Sequence, residues 1–319
     1  MKNWTCAAIA ALMMSAALPA VAEECIAPAN PGGGWDFTCR QIGQIMTELG
    51  IVPNLVQVTN LAGAGGGVAF TQVVSNRGDD PALFVAASSA TTTRLAQNAF
   101  AGATADQVRW VGSIGGDPGV IVVAKDSPFQ TLGDLVEAVK ADPSKVAFAG
   151  GSAVGGFDHL KVLMMLDKAG FTEARQVKYI GLDGGADAIT QTVGGFAQAM
   201  TGDLSEITGF IKSGDVRPIA VLSDERVAGF DDAPTAKEQG VDITAMNWRG
   251  IYVPKDITDE QYQKWVDTLK QVGESEQWKA VMVENGLEPY DLYGAEFETF
   301  VAENIAEIQE ISKEIGLLQ

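Results

Sequence analysis

Five segments of the chain share one layout, and this repetition constrains the fold more than any other feature of the sequence. In each segment, a short apolar run typical of a buried strand leads into a turn rich in Gly, Ser, Thr or Asn, and a helix starts directly after the turn. The five turns span residues 30–36, 62–69, 87–93, 150–159 and 181–188. Strands that alternate with helices in this way predict an α/β fold with mainly parallel sheets.

Length and patterning also bear on the domain organisation. The 319 residues are enough for two domains of about 150 residues each, yet no stretch of the sequence reads as a flexible linker. The missing linker indicates that strands pass directly between the domains. From Thr258 onward the pattern is largely helical, and Thr258 and Ser275 are well placed to cap helix N-termini.

The glycine-rich turns are candidate anion sites. They present unpaired backbone N–H groups at helix N-termini, where the helix dipole adds partial positive charge. In parallel sheets such turns lie at the carboxyl ends of the strands, where ligands usually bind. A single turn has an equally good steric explanation, because glycine also eases a tight connection. Five turns, divided between the first and middle parts of the chain, favour a cleft lined by amide donors from two domains and suited to a carboxylate or phosphate.

The residues expected to contact a ligand come from these turns. In the first part of the chain they are Asn30, Pro31, Gly33, Gly34, Trp35, Asp36, Gly65, Gly66, Gly67, Ser88, Ser89 and Thr91. In the middle part they are Gly151, Ser152, Gly155, Gly156, Phe157, Asp158, Asp183 and Gly184. Asp36, Asp158 and Asp183 each fall in the first turn of a helix, where capping alone explains an acid. They are also candidate acceptors for a ligand hydroxyl or an ordered water.

Enzyme motifs fit the sequence poorly. A dinucleotide fingerprint that starts at Gly63 fails because its sixth position is Val68, and no phosphate-binding G-x-x-x-x-G-K-[ST] loop occurs. A nucleophile elbow at Ser152 fails because Val154 stands where glycine is required. The single histidine, His159, follows a helix start, which favours a structural role. We expect no catalytic residue, cofactor or metal, and keep an exported α/β hydrolase acting through Ser152 as the enzyme alternative.

The first 22 residues resemble a cleaved export signal. Lys2 supplies positive charge, an apolar run follows, and residues 20–22 form a small-x-small cleavage site. The apolar run is too short to cross a bilayer comfortably. We therefore expect an exported protein that starts at Glu23.

Cleavage would remove Cys6 and leave Cys25 and Cys39 as the remaining cysteines. An even pair in an oxidising compartment most simply forms a disulfide. Two unpaired buried thiols are the alternative. A zinc site is disfavoured, because two cysteines and one histidine do not make a recognisable ligand set.

The formal charge of −19 argues against nucleic acid or an anionic membrane surface as a partner. It does not exclude a small anionic ligand. At physiological salt the screening length is about 8 Å, so surface charge is screened while backbone donors act at short range.

Several motifs in order carry a resemblance to a known family. They include "APANPGGGWDFTCR", "NLAGAGGGVA", "GGSAVGGFDHL", "DGGADAITQTVGG", "DDAPTAKEQGVD" and "NWRGIYVPKDIT". The chain resembles the periplasmic substrate-binding proteins of tripartite tricarboxylate transporters, the TctC-like members of the Bug family. The resemblance implies a type II periplasmic binding protein with two domains that close like a venus flytrap. Residues 23–123 and 246–319 would form the first domain, residues 124–245 the second, and two crossover strands the hinge.

The resemblance also implies a function. Such a protein is an extracytoplasmic receptor that binds a small carboxylate, either a citrate-like tricarboxylate or a dicarboxylate, and delivers it to a large and a small membrane subunit. Residues 31–36 and 65–67 would hold one carboxylate, partly through ordered water, and residues 151–158 and 183–185 would select the distal part of the ligand. We expect a periplasmic monomer. A ligand-presenting accessory of a signalling receptor is the alternative.

The sequence departs from the family pattern at Ile180, where many relatives have lysine. Without that lysine, Arg249 is the nearest motif-borne cation to the hinge. Arg249 can instead form a structural ion pair. The charge and length of the ligand therefore stay open.

Overall fold

The computed structural model of the protein describes residues 22–318. The predicted export signal lies outside the described residues except for its last residue. The first group of elements comprises β1 (Glu24–Ala27), α1 (Gly34–Glu48), β2 (Gln57–Asn60), α2 (Gly67–Asn76), β3 (Leu83–Ser88) and α3 (Ser89–Ala96). The second comprises β4 (Val108–Ala124), α4 (Leu132–Ala141), β5 (Ala147–Gly150), α5 (Phe157–Lys168), β6 (Lys178–Gly181), α6 (Gly185–Val193), β7 (Ala199–Asp203), α7 (Leu204–Ser213) and β8 (Val216–Leu222). The third comprises β9 (Met246–Pro254), α8 (Asp259–Glu274), α9 (Glu276–Asn285), β10 (Glu288–Tyr293) and α10 (Gly294–Glu314).

The strands follow the order β2-β1-β3-β9-β4-β7-β5-β6, and β8 and β10 also pair with β4. β1 runs parallel to β2 and β3, and β5 runs parallel to β6 and β7. The pairs that involve β4 or β9 are antiparallel. The antiparallel pairing follows from the path of the chain, which leaves the first domain along β4 and returns along β9. The predicted α/β fold with two crossover segments is confirmed.

The change from one domain to the other takes place inside β4. Residues 108–118 of this strand pair with β9, and residues 119–124 pair with β7 and β8. The backbone N–H of Gly119 donates to the carbonyl of Ala245, 2.8 Å away, so the outgoing and returning segments are joined at this point. The pairing partners of β4 therefore change between Pro118 and Gly119. The domain boundary at Val123 stays a prediction.

Local sequence signals account for most element ends. Thr258 and Ser275 cap α8 and α9 as predicted, and their side chains accept the N–H groups of Gln261 and Trp278. The prediction of a largely helical end missed β10. This short strand contains Pro289 and pairs only with β4 among the described strands. Its pairing with a distant strand, rather than its own propensity, makes it a strand.

The predicted disulfide is present between Cys25 in β1 and Cys39 in α1. The two Cα atoms are 5.6 Å apart, and both residues are fully buried in the core of the first domain. The bond ties the first strand to the first helix and encloses the first glycine turn. Among the described residues, no helix is both long and apolar enough to cross a membrane.

Candidate functional site

The glycine turns of the two domains face each other and touch. The backbone N–H of Asn30 donates to the carbonyl of Asp183 at 2.8 Å, and the Asn30 side chain donates to the Asp187 carboxylate at 2.8 Å. A Cβ atom on Gly33 would lie 3.3 Å from the Cα atom of Gly184. The two walls are therefore in van der Waals contact, and the structure is a closed form.

Two small adjoining cavities remain between the walls. The acidic cavity, named for Asp158, Asp203 and Glu206 in its lining, has a volume of about 30 Å³. The arginine cavity, lined in part by Arg94, has a volume of about 10 Å³. Each has room for roughly one water molecule. A ligand of several carbon atoms can therefore enter only when the domains move apart.

The structure brings together some of the predicted site residues at these cavities and places others behind them. Gly34, Trp35, Ser88, Gly151, Ser152, Asp158 and Gly184 line the acidic cavity. Gly65, Gly156 and Asp183 line the arginine cavity. Asn30, Pro31, Gly33, Asp36, Gly66, Gly67, Ser89, Thr91, Gly155 and Phe157 line neither cavity. Ligand contact by any of these residues stays a prediction.

Asp36 holds the first turn in place. Its carboxylate accepts the backbone N–H of Gly32 at 2.9 Å and hydrogen bonds from Arg40 and Asn60 at 2.9 Å. Burial opposes ionisation of Asp36, but these hydrogen bonds outweigh it, so the pKa of Asp36 is lowered from its usual value. The carboxylate is thus occupied by its own turn in this closed form.

Trp35 connects the first three turns. Its indole Nε1 donates to the hydroxyl of Ser88 at 3.0 Å, and the same hydroxyl caps α3 by accepting the N–H of Ala90 at 3.2 Å. The ring also lies against Gly66, where a Cβ atom would be 3.3 Å from the Trp35 ring. Gly66 has φ of +95°, a conformation that favours glycine. Close packing and backbone conformation therefore both require glycine here.

His159 has a structural role, as its position at the start of a helix indicates. Its Nδ1 accepts the N–H of Gly155 at 3.0 Å, and its ring stacks on Tyr179 with centroids 4.5 Å apart. Burial lowers the pKa of His159 to about 4, so the ring is neutral at pH 7. The Tyr179 hydroxyl in turn donates to the carbonyl of Ser152 at 2.8 Å. These contacts support the middle-domain wall.

A chain of buried ion pairs lies beneath the acidic cavity. Lys161 is 2.8 Å from Asp158 and 2.7 Å from Asp203. Arg249 is 2.9 Å from Asp203 and also bonds Asp117. Of the two roles that the sequence left open for Arg249, the structural ion pair is therefore the one observed. Burial raises the pKa of Asp158, although Lys161 acts in the other direction.

Glu206 belongs to the second domain, and its side chain accepts a hydrogen bond from the first domain. Its Oε1 accepts the backbone N–H of Gly34 at 2.8 Å, at the start of α1, and its Oε2 accepts the N–H of Asp203 at 3.2 Å. The carboxyl group also lies against the first residue of α6, because a Cβ atom on Gly185 would be 2.5 Å from Cδ of Glu206. The N-termini of three helices, α1, α6 and α7, therefore converge on this one carboxyl group.

The surroundings of Glu206 disfavour its negative charge. The residue keeps some exposure, but its carboxyl group lies deep, near Asp203, Asp158 and Asp117. Burial and these carboxylates, opposed by Arg249, raise the pKa of Glu206 to about 8. The two N–H donors favour the ionised form, and burial outweighs them.

The raised pKa predicts a pH-dependent stability that Glu206→Gln should remove. Between pH 4.5 and about 8 the folded state retains a proton on Glu206 that the unfolded state has lost. The free energy of unfolding therefore falls as pH rises through this range and is level above it. We expect the Tm of the wild type to fall by several degrees more than that of the Glu206→Gln variant between pH 5 and pH 8. The exposed Glu284→Gln serves as the control and should follow the wild type, whereas parallel curves for wild type and Glu206→Gln would contradict the assignment.

Asn247 lines the acidic cavity and has an unused acceptor. It is 4% exposed, and its Nδ2 donates to Asp203 at 2.6 Å. This bond fixes the orientation of the amide, so Oδ1 is the free atom. Oδ1 is buried and has no hydrogen-bond partner among residues 22–318.

Arg94 lines the arginine cavity and has an unused donor. Its Nε is buried without a partner in the described part of the chain, and a Cβ atom on Gly65 would be 3.4 Å from it. Its Nη1 donates to Gln97 at 3.2 Å and to the carbonyl of Val154 at 3.3 Å. The guanidinium thus spans the two domains and still offers one N–H group beside the second glycine turn.

Four polar residues that line the cavities were not predicted from the sequence: Arg94, Asp203, Glu206 and Asn247. Arg94 follows the predicted Ser/Thr turn directly. Asp203 and Glu206 form a D-x-x-E capping box after β7, a pattern that can be read from sequence. This strand-to-helix turn lacks a glycine run, which is why it was not grouped with the other five. Among residues 22–318, no cluster of His, Cys, Asp and Glu has a metal-binding arrangement.

Comparison with known proteins places the chain in a family. A family model described as "Tripartite tricarboxylate transporter family receptor", TctC, matches residues 39–317. The protein BugT of Bordetella pertussis is 27% identical over 317 residues, which cover 97% of this chain and 94% of BugT.

Solved structures show the same fold. A Rhodopseudomonas palustris protein with adipate has a TM-score of 0.84 at 21% identity, and the match covers 93% of this chain and 98% of that one. MatC from the same organism, with bound malate, has a TM-score of 0.79 at 18% identity, covering 92% and 99% of the two chains. These likenesses confirm the predicted periplasmic-binding-protein fold. The family-model match over residues 39–317 shows that the chain belongs to the TctC family of tripartite tricarboxylate transporter receptors, which are periplasmic solute receptors rather than enzymes.

Proposed function

We propose that the protein binds a small carboxylate between its two domains and delivers it to the membrane subunits of a tripartite transporter. The observation that carries the proposal is the unpartnered Nε–H of Arg94 beside the second glycine turn, in a cavity that both domains line. A carboxylate there would meet a guanidinium donor and backbone N–H groups of a helix N-terminus. The malate and adipate bound by proteins of the same fold support a carboxylate.

Binding would couple to domain closure. Direct contacts between the domains already include Asn30 with Asp183 and Gly34 with Glu206. A ligand that bridges the two walls would add contacts available only when the domains approach. The closed receptor is then the form that presents the solute to the transporter. The expected di- or tricarboxylate nature of the solute and the monomeric state are further parts of this proposal.

A thermal-shift screen tests the proposal. The panel contains citrate, tricarballylate, aconitate, succinate, malate, adipate, aspartate and aromatic carboxylates, with a sugar and a simple amine as controls. A ligand that binds only the folded state stabilises it by about 2.7 kcal/mol at a hundredfold excess over Kd. We expect at least one carboxylate to raise Tm. A shift with the sugar or the simple amine and with no carboxylate would overturn the proposal.

Replacing Arg94 should weaken binding of every carboxylate that the screen finds. Arg94→Gln removes a charged donor, and a hydrogen bond to a charged group contributes about 1.5–3 kcal/mol, equivalent to roughly tenfold to a hundredfold in Kd. Titration calorimetry measures the change. Arg226→Gln is the matched control, because Arg226 lies on an exposed loop and pairs with Glu238 away from the cavities. Equal affinities for Arg94→Gln and wild type would remove Arg94 from the site.

A further inference from the structure

Glu206 occupies a position where a second carboxylate of a ligand would otherwise be favoured. The N-termini of α1, α6 and α7 meet at its carboxyl group, through the N–H groups of Gly34 and Asp203 and the close approach of Gly185. Helix N-termini attract anions. Here the protein supplies its own carboxyl group, and a ligand carboxylate at the same point would face it directly.

The groups around the acidic cavity carry an excess of acid. Glu206 faces Asp203 on β7, Asp158 on α5 and Asp117 on β4. The cations among these groups are Arg249 and Lys161, which are already paired with Asp117, Asp158 and Asp203. Tyr179, also near Glu206, is neutral because burial raises its pKa well above 10. Arg249 still attracts Glu206 through its charge, but no cation of the described residues forms an ion pair with Glu206. An ammonium group entering the cavity would supply one.

Asn247 gives independent evidence that the ligand carries a hydrogen-bond donor. Its buried Oδ1 lacks a partner among the described residues, and the residue lines the same cavity as Glu206. Leaving a buried acceptor unpaired is costly, and an N–H group of a ligand would remove that cost. An ammonium group has three donors and no acceptor. It can therefore satisfy Asn247 and Glu206 together, whereas a carboxylate can satisfy neither.

The two cavities can accept the two ends of one small molecule. They share Trp35, Ala90, Gly151 and Ser152 in their linings. The arginine cavity offers the free donor of Arg94, and the acidic cavity offers the acceptors of Asn247 and Glu206. This polarity matches a solute with a carboxylate at one end and an ammonium group at the other.

We propose that Glu206 is a specificity-determining residue. It makes the acidic cavity a subsite for a protonated amine, and the solute is therefore an amino-carboxylate. This inference rests on the proposed carboxylate binding, and it replaces the expected di- or tricarboxylate by a carboxylate that also carries an ammonium group. Glu206 ionises when the ammonium group binds, and the proton is released to solvent. Because the pKa of Glu206 without ligand is about 8, affinity for an amino-carboxylate should rise roughly twentyfold between pH 6.5 and pH 8.5.

Two matched pairs of probes test the inference by titration calorimetry. Aspartate and malate differ by an ammonium in place of a hydroxyl, and 5-aminopentanoate and adipate differ by an ammonium in place of a carboxylate. In each pair that binds, we expect the amine to bind the wild type at least tenfold more tightly. In Glu206→Gln, which keeps an acceptor for Gly34, the ratio should fall below threefold and the pH dependence should disappear.

The controls separate this inference from the proposed function. Glu284→Gln, an exposed substitution on α9, should keep the preference of the wild type. Unfolding curves of Glu206→Gln establish that the variant is folded before it is titrated, and Glu206→Asp, which keeps the charge, should retain part of the preference.

If malate or adipate binds the wild type as tightly as its amine partner, the inference fails and the carboxylate function stands. If Glu206→Gln retains the full preference, Glu206 is not the selecting residue. If no carboxylate or amino-carboxylate binds, the proposed function fails as well.

Discussion

Lys161→Met is expected to lower the free energy of unfolding by about 3–5 kcal/mol, since it breaks a buried ion pair and leaves its partners behind. Lys161 is fully buried, and its Nζ lies 2.8 Å from Asp158, 2.7 Å from Asp203 and 2.6 Å from the carbonyl of Gly202. Methionine has a similar shape but no donor. Both carboxylates would then lose their nearest cation while they remain buried. Chemical denaturation measures the change.

Lys279→Met is the matched control for this prediction. Lys279 also lies on a helix and also pairs with an acid three residues earlier, Glu276 at 2.7 Å. Its side chain is 57% exposed, however, and exposed pairs of this kind contribute about 0.3–0.5 kcal/mol. We expect a loss of no more than that. A similar loss for the two variants would show that burial does not set the energy of the Lys161 network.

Removing the disulfide should lower the free energy of unfolding by about 2–4 kcal/mol. The double variant Cys25→Ala/Cys39→Ala opens a loop of 15 residues, and closing such a loop contributes about 3 kcal/mol in the chain-entropy model. Both positions are buried, and alanine avoids placing a hydroxyl group in the core. The measurement is denaturant unfolding of the two proteins under non-reducing conditions.

The same double variant should also bind its carboxylate more weakly. The bond encloses the first glycine turn, which includes Gly34, and a turn that is less constrained must be ordered on binding. Wild type treated with a reductant is the parallel control and should behave like the variant. Two free thiols detected in the purified, non-reduced protein would contradict the assignment of the bond.

Some of the candidate site could be predicted from the sequence because its chemistry is local. The glycine runs at residues 30–36 and 150–159 form turns between a parallel strand and a helix, and several of their residues line the cavities. Other predicted residues have different tasks. Asp36 binds its own turn, and Ser89 donates to the carbonyl of Met246. Which face of a turn points at the ligand depends on packing that no short window of sequence contains.

The acidic end of the site depends on contacts between distant parts of the chain. Gly34 and Glu206 are 172 residues apart and meet only because the two domains approach each other. The sequence left two roles open for Arg249, a free cation near the hinge or a structural ion pair, and the structure pairs it with Asp117 and Asp203. The net charge of a binding cavity is therefore a tertiary property.

The sequence by itself determined the alternation of strands and helices, the five glycine turns, the helix caps at Thr258 and Ser275, and the pairing of Cys25 with Cys39. Each of these depends on propensities and spacings within a few turns of chain or on a single pair of residues. Only the tertiary structure decided that β10 is a strand, that Asn247 keeps a free acceptor and that Glu206 meets the start of α1. The physical reason is that strand pairing, burial of polar atoms and the pKa of a buried acid are set by neighbours that folding brings together from all parts of the chain.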